Sequence, residues 1–287
     1  MKIAVFMGGT SSEREISLKT GKAILNSLIN QGYDAYGIDL TKENLITAFL
    51  DNQYDLAYLA LHGEFGEDGK IQGFLDMLGK KYTGSRALGS AITMDKEYTK
   101  SIVKNEGIRI PRTYKAIKEI EEFPIVIKPA AEGSSVGLYI CHNLEEAQLA
   151  EEKLKGKKIV IEEFVQGDEL TVGVMNGKGL GVIRIKPKSG LYDFDSKYTV
   201  GYTEYEYPAQ IPQEIYEEAM EKAEKVHEVL GLSGITRSDF LLKDGKLYFL
   251  EVNTTPGMTE TSLIPKAASL KGYSFDDLTK TMVETFK

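Results

Sequence analysis

Hydrophobic and polar positions along this chain follow two different periods, and the switches between them outline the fold. Three short apolar runs, "KIAVFM" (2–7), "DAYGIDL" (34–40) and "LAYLAL" (56–61), have the length of strands. Between the first two, residues 12–30 carry Ile16, Ala23, Ile24 and Leu28 along one side, the spacing of an amphipathic helix. Such alternation predicts a parallel α/β unit that closes near "YTGS" (82–85), after the amphipathic "GKIQGFLDMLG". A second unit opens with the charged helix "MDKEYTKSIVKNEG" (94–107), stops at Gly107 and Pro111, and continues into the strand "FPIVIKP" and an acidic helix over 143–155. From "IVIEEFV" onward come "ELTVGVMNG" and "GLGVIRIKP", joined by Asn-Gly-Lys-Gly, a hairpin signal that makes the third unit largely antiparallel. The expected units are 1–90, 91–165 and 166–287. Between Pro187 and Pro208 no period is legible in a stretch rich in Tyr, Asp, Ser and Gly, which reads as a functional lid.

Composition narrows the function. With 287 residues and 42% hydrophobic content the chain can bury a sizeable core. Its 35 Lys+Arg against 43 Asp+Glu give a net charge of −8, which argues against a nucleic-acid surface or a polybasic membrane anchor and leaves small ligands as the expectation. A single cysteine, Cys141, excludes an internal disulfide and a four-cysteine zinc site. "MKIAVFMGG" is too short for a signal-peptide core, and no run reaches the ~18 apolar residues of a membrane span, so a cytoplasmic protein is expected.

Two clusters carry candidate chemistry. "TRSDFLLKDGKLYFLEVN" (236–253) reads as a β-hairpin turning at Lys243-Asp244-Gly245. A two-residue turn would send Asp239 to the face opposite Glu251. A three-residue turn, pairing Leu242 with Lys246, puts Arg237, Asp239, Glu251 and Asn253 on one face, and that register is the prediction. Two carboxylates and an amide without sulfur or histidine form a hard-oxygen set suited to Mg²⁺, with Mn²⁺ as the alternative; a salt bridge between Arg237 and Glu251 is the competing reading. The other cluster is "VIKPAAEGSSVG" (126–137), a strand ending in Lys128 followed by Glu132-Gly133-Ser134-Ser135. Its glycines let backbone N–H groups approach an anion, yet the lysine precedes the loop, unlike the order of a P-loop. An ordinary turn is the alternative; beside a Mg²⁺ site the loop suggests a triphosphate. "MGGTSS" lacks the dinucleotide glycine fingerprint.

Taken in order, "GGTSSEREISL", "LHGEFGEDGKIQGFL", "YTGS", "MDK", "IKPAAEGSSVG", "DSKY", "RSDF" and "EVNTTPGMTETSLIP" resemble the D-alanine:D-alanine ligases of the ATP-grasp superfamily over nearly the whole chain. The resemblance implies an N-terminal α/β substrate domain followed by a two-part ATP-grasp fold of α+β character. It also implies ATP and D-alanine as substrates, Mg²⁺ as cofactor, a homodimer, and a product used in bacterial peptidoglycan. By position, it implies that Lys96, Lys128 and Lys197 hold phosphates under the 133–137 loop, with Glu132, Gly133, Ser134 and Ser135 as ATP contacts. Glu162, Phe164, Val165 and Glu169 would meet the adenosine, and Asp239, Glu251 and Asn253 the metal. Glu15, Ser134, Arg237, Gly257, Ser262 and Leu263 would meet the amino acids, with His62 orienting Glu15 or the substrate. Arg237 would stabilise the oxyanion, and Tyr198 would favour an amine over a hydroxyl nucleophile. Read from the residues alone, Glu15 closes a capping box in Ser12-Glu13-Arg14-Glu15. The rivals are another ATP-grasp carboxylate–amine ligase, a D-alanine:D-lactate ligase, and a nucleotide-binding sensor without turnover.

Overall fold

A computed structural model gives the fold and describes residues 1–133, 136–188, 202–259 and 261–287. Serines 134 and 135, Lys197 and Tyr198 lie outside the described residues, as does most of the stretch read as a lid. Three sheets organise the chain. In the first, β1 (Lys2–Gly8), β2 (Asp34–Leu40), β3 (Leu56–Leu59) and β4 (Lys81–Tyr82) run parallel in the order β2-β1-β3-β4. Both faces of β1 are buried, as expected of a parallel strand covered on each side. Ile3, Val5 and Met7 meet Ile24 and Leu28 of α1 (Arg14–Asn30), while Ala4 and Phe6 meet Phe49 of α2 (Thr47–Asp51) and Leu75 of α3 (Lys70–Met77). Gly21 is what lets α1 lie so close, because a Cβ there would stand 2.4 Å from Met7 Cβ.

The second sheet, in the order β5-β8-β6-β7, is built from β5 (Thr113–Tyr114), β6 (Ile125–Pro129), β7 (Tyr139–Cys141) and β8 (Ile159–Glu163). Before it come α4 (Ala87–Met94) and α5 (Lys96–Asn105), and the acidic helix α6 (Leu144–Lys153) packs on it, capped by Asn143. The third sheet is antiparallel throughout, in the order β11-β10-β9-β12-β13. It comprises β9 (Asp168–Met175), β10 (Lys178–Pro187), β11 (Thr203–Glu206), β12 (Ile235–Lys243) and β13 (Lys246–Asn253). One face is closed by α7 (Gln213–Val229) through Ala219, Ala223 and Val226. On the other lies α8 (Leu263–Ser269), admitted by Gly173, where a Cβ would come within 3.0 Å of Ile264 Cδ1. Residues Leu278, Met282 and Val283 of the last helix, α9 (Phe275–Phe286), join the core of β1 and α1. The chain's first sheet and its C-terminal helices therefore share one apolar interior.

Three expectations are corrected. The first helix starts at Arg14 with Glu13 in the cap position and no side-chain cap bond, so Ser12 to Glu15 is not a capping box. The 236–253 hairpin turns through two residues, not three: Lys243 pairs with Lys246, and Asp244 and Gly245 both take positive φ, 49° and 71°. A bulge between Phe249 and Glu251 then absorbs Leu250, so Asp239 pairs with Glu251 and Arg237 with Asn253. All four polar side chains share a face after all, by a different route. Finally, the 187–208 stretch is not wholly without period, since β11 pairs Thr203 with Pro187 and Glu206 with Arg184.

Candidate active site

Two cavities of about 360 and 370 Å³ meet at a common wall made by Lys96, Glu132 and Glu251. The first lies between the second and third sheets. Lys128 and Glu162 line its one side from β6 and β8, Asp239 and Glu251 the other from the β12–β13 ribbon, and Phe164, Val165 and Glu169 its far end. The second is bounded by Glu13, His62 and Glu67 from loops after β1 and β3, and by Arg237, Asn253, Gly257, Ser262 and Leu263. β1 and β3 are the strands between which the sheet order reverses, where open parallel sheets place ligands.

The wall is held by one lysine. Asp95 caps α5 by accepting from Glu97 N at 3.0 Å, which starts the helix so that Lys96 faces the cavities. Its ammonium donates to the Glu132 carbonyl at 2.7 Å and lies 3.3 Å from Glu251 Oε2. Glu132 itself pairs with Lys157. A lysine thus ties the glycine-serine loop to the carboxylate ribbon.

On that ribbon, Arg237 grips Asp239 with its Nε at 3.0 Å and Nη2 at 2.9 Å, and Thr171 Oγ1 donates to Asp239 Oδ1 at 2.5 Å. Asn253 Oδ1 accepts from Thr255 N at 2.8 Å, which fixes the amide in its turn. Among the described residues no three His, Cys, Asp or Glu side chains converge as a metal cluster. Two carboxylates and an amide oxygen on one face nevertheless make the hard-oxygen set that suits Mg²⁺. The donor chemistry fits.

Glu162 is 2% exposed, neither a solvated edge residue nor a free acceptor. One oxygen pairs with Lys100, and the other lies 3.0 Å from Lys128 Nζ. Burial works against its charge, but the two ammonium groups outweigh burial and hold the carboxyl below its usual range. Burial likewise opposes the charge of Lys128, yet Glu162 and Glu251 raise its pKa, whereas Lys100 is pushed down by burial to about 8. Phe164 and Val165 follow β8 directly, and Glu169 sits on β9 opposite Ile185.

The second cavity changes one assignment. Glu15 is exposed and lies outside the walls of both cavities; the carboxylate at the wall is Glu13. Two residues apart near a helix start are about 200° apart around its axis, so only one of them can face inward. A Cβ at Gly63 would lie 3.1 Å from Glu13 Oε2 and one at Gly133 3.4 Å, so this acid bridges the first sheet's loops and the glycine-serine loop. His62 is buried with its Nε2 3.1 Å from Thr20 Oγ1 and its Nδ1 3.9 Å from Glu67. Burial raises the pKa of Glu67, whose Oε1 has no hydrogen-bond partner. Ser262 stands just before α8 without a side-chain cap bond, and its Oγ accepts from Thr259 N at 3.0 Å, with Gly257 alongside it.

Glu13, Glu67, Lys100, Thr171 and Tyr205 join these sites without having been singled out in the sequence. Two of them had a signal: Lys100 stands one helical turn after Lys96, and Glu13 precedes Ile16 and Thr20 on the buried side of α1.

Comparison with known proteins gives the family. Residues 95–284 match the family described as D-ala D-ala ligase C-terminus, and residues 44–85 its N-terminus. The chain belongs to the D-alanine–D-alanine ligase family. A D-alanine–D-alanine ligase of Fusobacterium nucleatum is 60% identical over all of this chain and 99% of its own length; that of Aquifex aeolicus is 44% identical over 99% of this chain and 100% of its own. Among solved structures, the ATP complex of the D-alanine–D-alanine ligase from Bacillus anthracis superposes with a TM-score of 0.85 at 35% identity, covering 99% of this chain and 97% of that one. A D-Ala:D-Ser ligase from Enterococcus faecalis superposes with a TM-score of 0.87 at 28% identity, covering 100% and 99%. No helix of the described residues is long and apolar enough to cross a membrane.

Proposed function

We propose that the chain joins two D-alanines at the expense of ATP, with the nucleotide in the first cavity and the amino acids in the second. The observation that carries this reading is the shared wall, because a phosphoryl group leaving a nucleotide in one cavity needs a carboxylate acceptor just beyond it. The γ-phosphoryl passes to the carboxylate of the first D-alanine, ADP departs, and an acyl phosphate results. The amine of the second D-alanine attacks the acyl carbon, loses a proton, and the tetrahedral intermediate collapses with loss of phosphate.

Lys128 and Lys96 bear the phosphate charge; Lys197, Ser134 and Ser135, the further phosphate contacts that the resemblance implies, lie outside the described residues. Phe164, Val165 and Glu169 bound the adenosine end. Asp239, Glu251 and Asn253 are the residues that would hold Mg²⁺, which when bound offsets phosphate charge. Arg237 faces the second cavity beside Asp239, where its guanidinium offsets an oxyanion. Glu13 takes the part first given to Glu15, holding a substrate ammonium, with Ser262, Gly257 and Leu263 at the carboxylate end; Ser134 and Tyr198, which the resemblance assigns to the amino acids, lie outside the described residues. ATP as substrate is consistent with a cytoplasmic enzyme, and a homodimer is the assembly proposed, tested by light scattering.

The test is product analysis with ATP and Mg²⁺, supplying D-alanine alone and with D-serine, D-lactate or L-alanine. D-Alanyl-D-alanine, ADP and phosphate in equal amounts support the reading. ATP binding without turnover would mark a sensor, and a mixed product in preference to the dialanine would move the second substrate.

A further inference from the structure

Lys100 lines neither cavity, yet its side chain is 2% exposed and its ammonium is paired with Glu162. It leaves α5 one turn after Lys96, on the side facing β6 and β8. In the β6–β8 pairing Lys128 stands opposite Val160 and Glu162 opposite Val126, so Lys128 and Glu162 are diagonal neighbours on one face. The order is therefore Lys100, Glu162, Lys128, with only the last two on the cavity.

Charge decides what this arrangement does. A carboxylate paired with Lys128 alone would neutralise it and leave little for an anionic ligand. A second cation on the other oxygen of Glu162 restores a net positive charge to the trio. Stability is a poor reason for such a group, since buried ion pairs are often replaceable by apolar residues without loss. We propose that Lys100 is a positioning residue for the nucleotide: from behind the cavity it balances Glu162, so that Lys128 stays available to the ATP phosphates. The inference rests on the reading that the first cavity takes ATP.

Binding of the non-hydrolysable β,γ-imido analogue of ATP with Mg²⁺, measured by calorimetry, tests it alongside the KM for D-alanine. Lys100→Met should weaken analogue binding at least tenfold and leave the D-alanine KM within twofold. The double variant Lys100→Met/Glu162→Gln, which removes both charges, should regain most of that loss, and Lys100→Arg should bind within threefold of the parent. Where Lys100→Met does not fold, Lys100→Gln keeps an amide donor for Glu162 and carries the same comparison. Analogue binding unchanged in a folded variant lacking the charge overturns the assignment; so does a parallel rise in both constants, or a double variant as weak as the single. A parent enzyme that does not bind the analogue would overturn the ATP reading itself.

Discussion

Substituting Glu13 and Glu15 one at a time, each by Gln, separates two carboxylates that the sequence alone confuses. Glu13 stands at the wall of the second cavity, between Gly63 and the Gly133 loop, and Glu15 is exposed on the opposite side of the helix start. A hydrogen bond from a charged group to a charged partner contributes roughly 1.5–3 kcal/mol. At about 1.4 kcal/mol per tenfold, Glu13→Gln should lower kcat/KM for D-alanine by about 10- to 150-fold. A surface change away from such a feature stays within about 0.5 kcal/mol, so Glu15→Gln should cost little more than twofold. The assay is phosphate release at saturating ATP with D-alanine varied, each variant first checked for an unchanged melting temperature. Equal losses in both variants, or a loss confined to Glu15→Gln, would refute the placement of Glu13.

Other outcomes follow from the same geometry. Glu162→Gln leaves two ammonium groups without a counter-charge and should destabilise the fold by roughly 3–5 kcal/mol, read as a lower thermal midpoint at pH 7. The Glu162 pKa is depressed in the folded state, so its stabilisation is complete above about pH 4.3 and lost as pH falls through the folded value; this part of the acid limb should vanish in Glu162→Gln. Asp239→Asn and Glu251→Gln should each reduce turnover by about 10²–10³, and chelation should stop phosphate release until Mg²⁺ is restored, with direct metal titration as the independent reading. Gly245→Ala, forced to φ 71° in an exposed turn, should cost about 1–2 kcal/mol by thermal melt and leave kcat unchanged.

Much of the architecture was legible because it depends on periodicity. "KIAVFM", "DAYGIDL" and "LAYLAL" became β1 to β3, and Asn176-Gly177 made the two-residue turn between β9 and β10. What escaped was phase and register. Thr10-Ser11-Ser12-Glu13 and Ser12-Glu13-Arg14-Glu15 both satisfy the capping pattern, and only packing of Ile24 and Leu28 against β1 fixes which acid points inward. Leu250 carries no mark of the bulge that brings Asp239 opposite Glu251, since a bulge answers to the twist of the sheet around it. The pairing of Glu162, expected at the adenosine, was not legible because its two lysines lie 62 and 34 positions away in the chain, one on a helix and one on the neighbouring strand. Lys100 had only its place one turn after Lys96 to mark it: charged residues on a helix are usually solvated, and its burial is a product of the α5 packing.

Passage of a phosphoryl group across the wall of Lys96, Glu132 and Glu251 is best tested by following oxygen. D-Alanine labelled with ¹⁸O in its carboxylate is incubated with ATP and Mg²⁺, and the released phosphate is examined by mass spectrometry. One labelled oxygen in phosphate for each dipeptide formed is the predicted result. Dipeptide accompanied by unlabelled phosphate would contradict it.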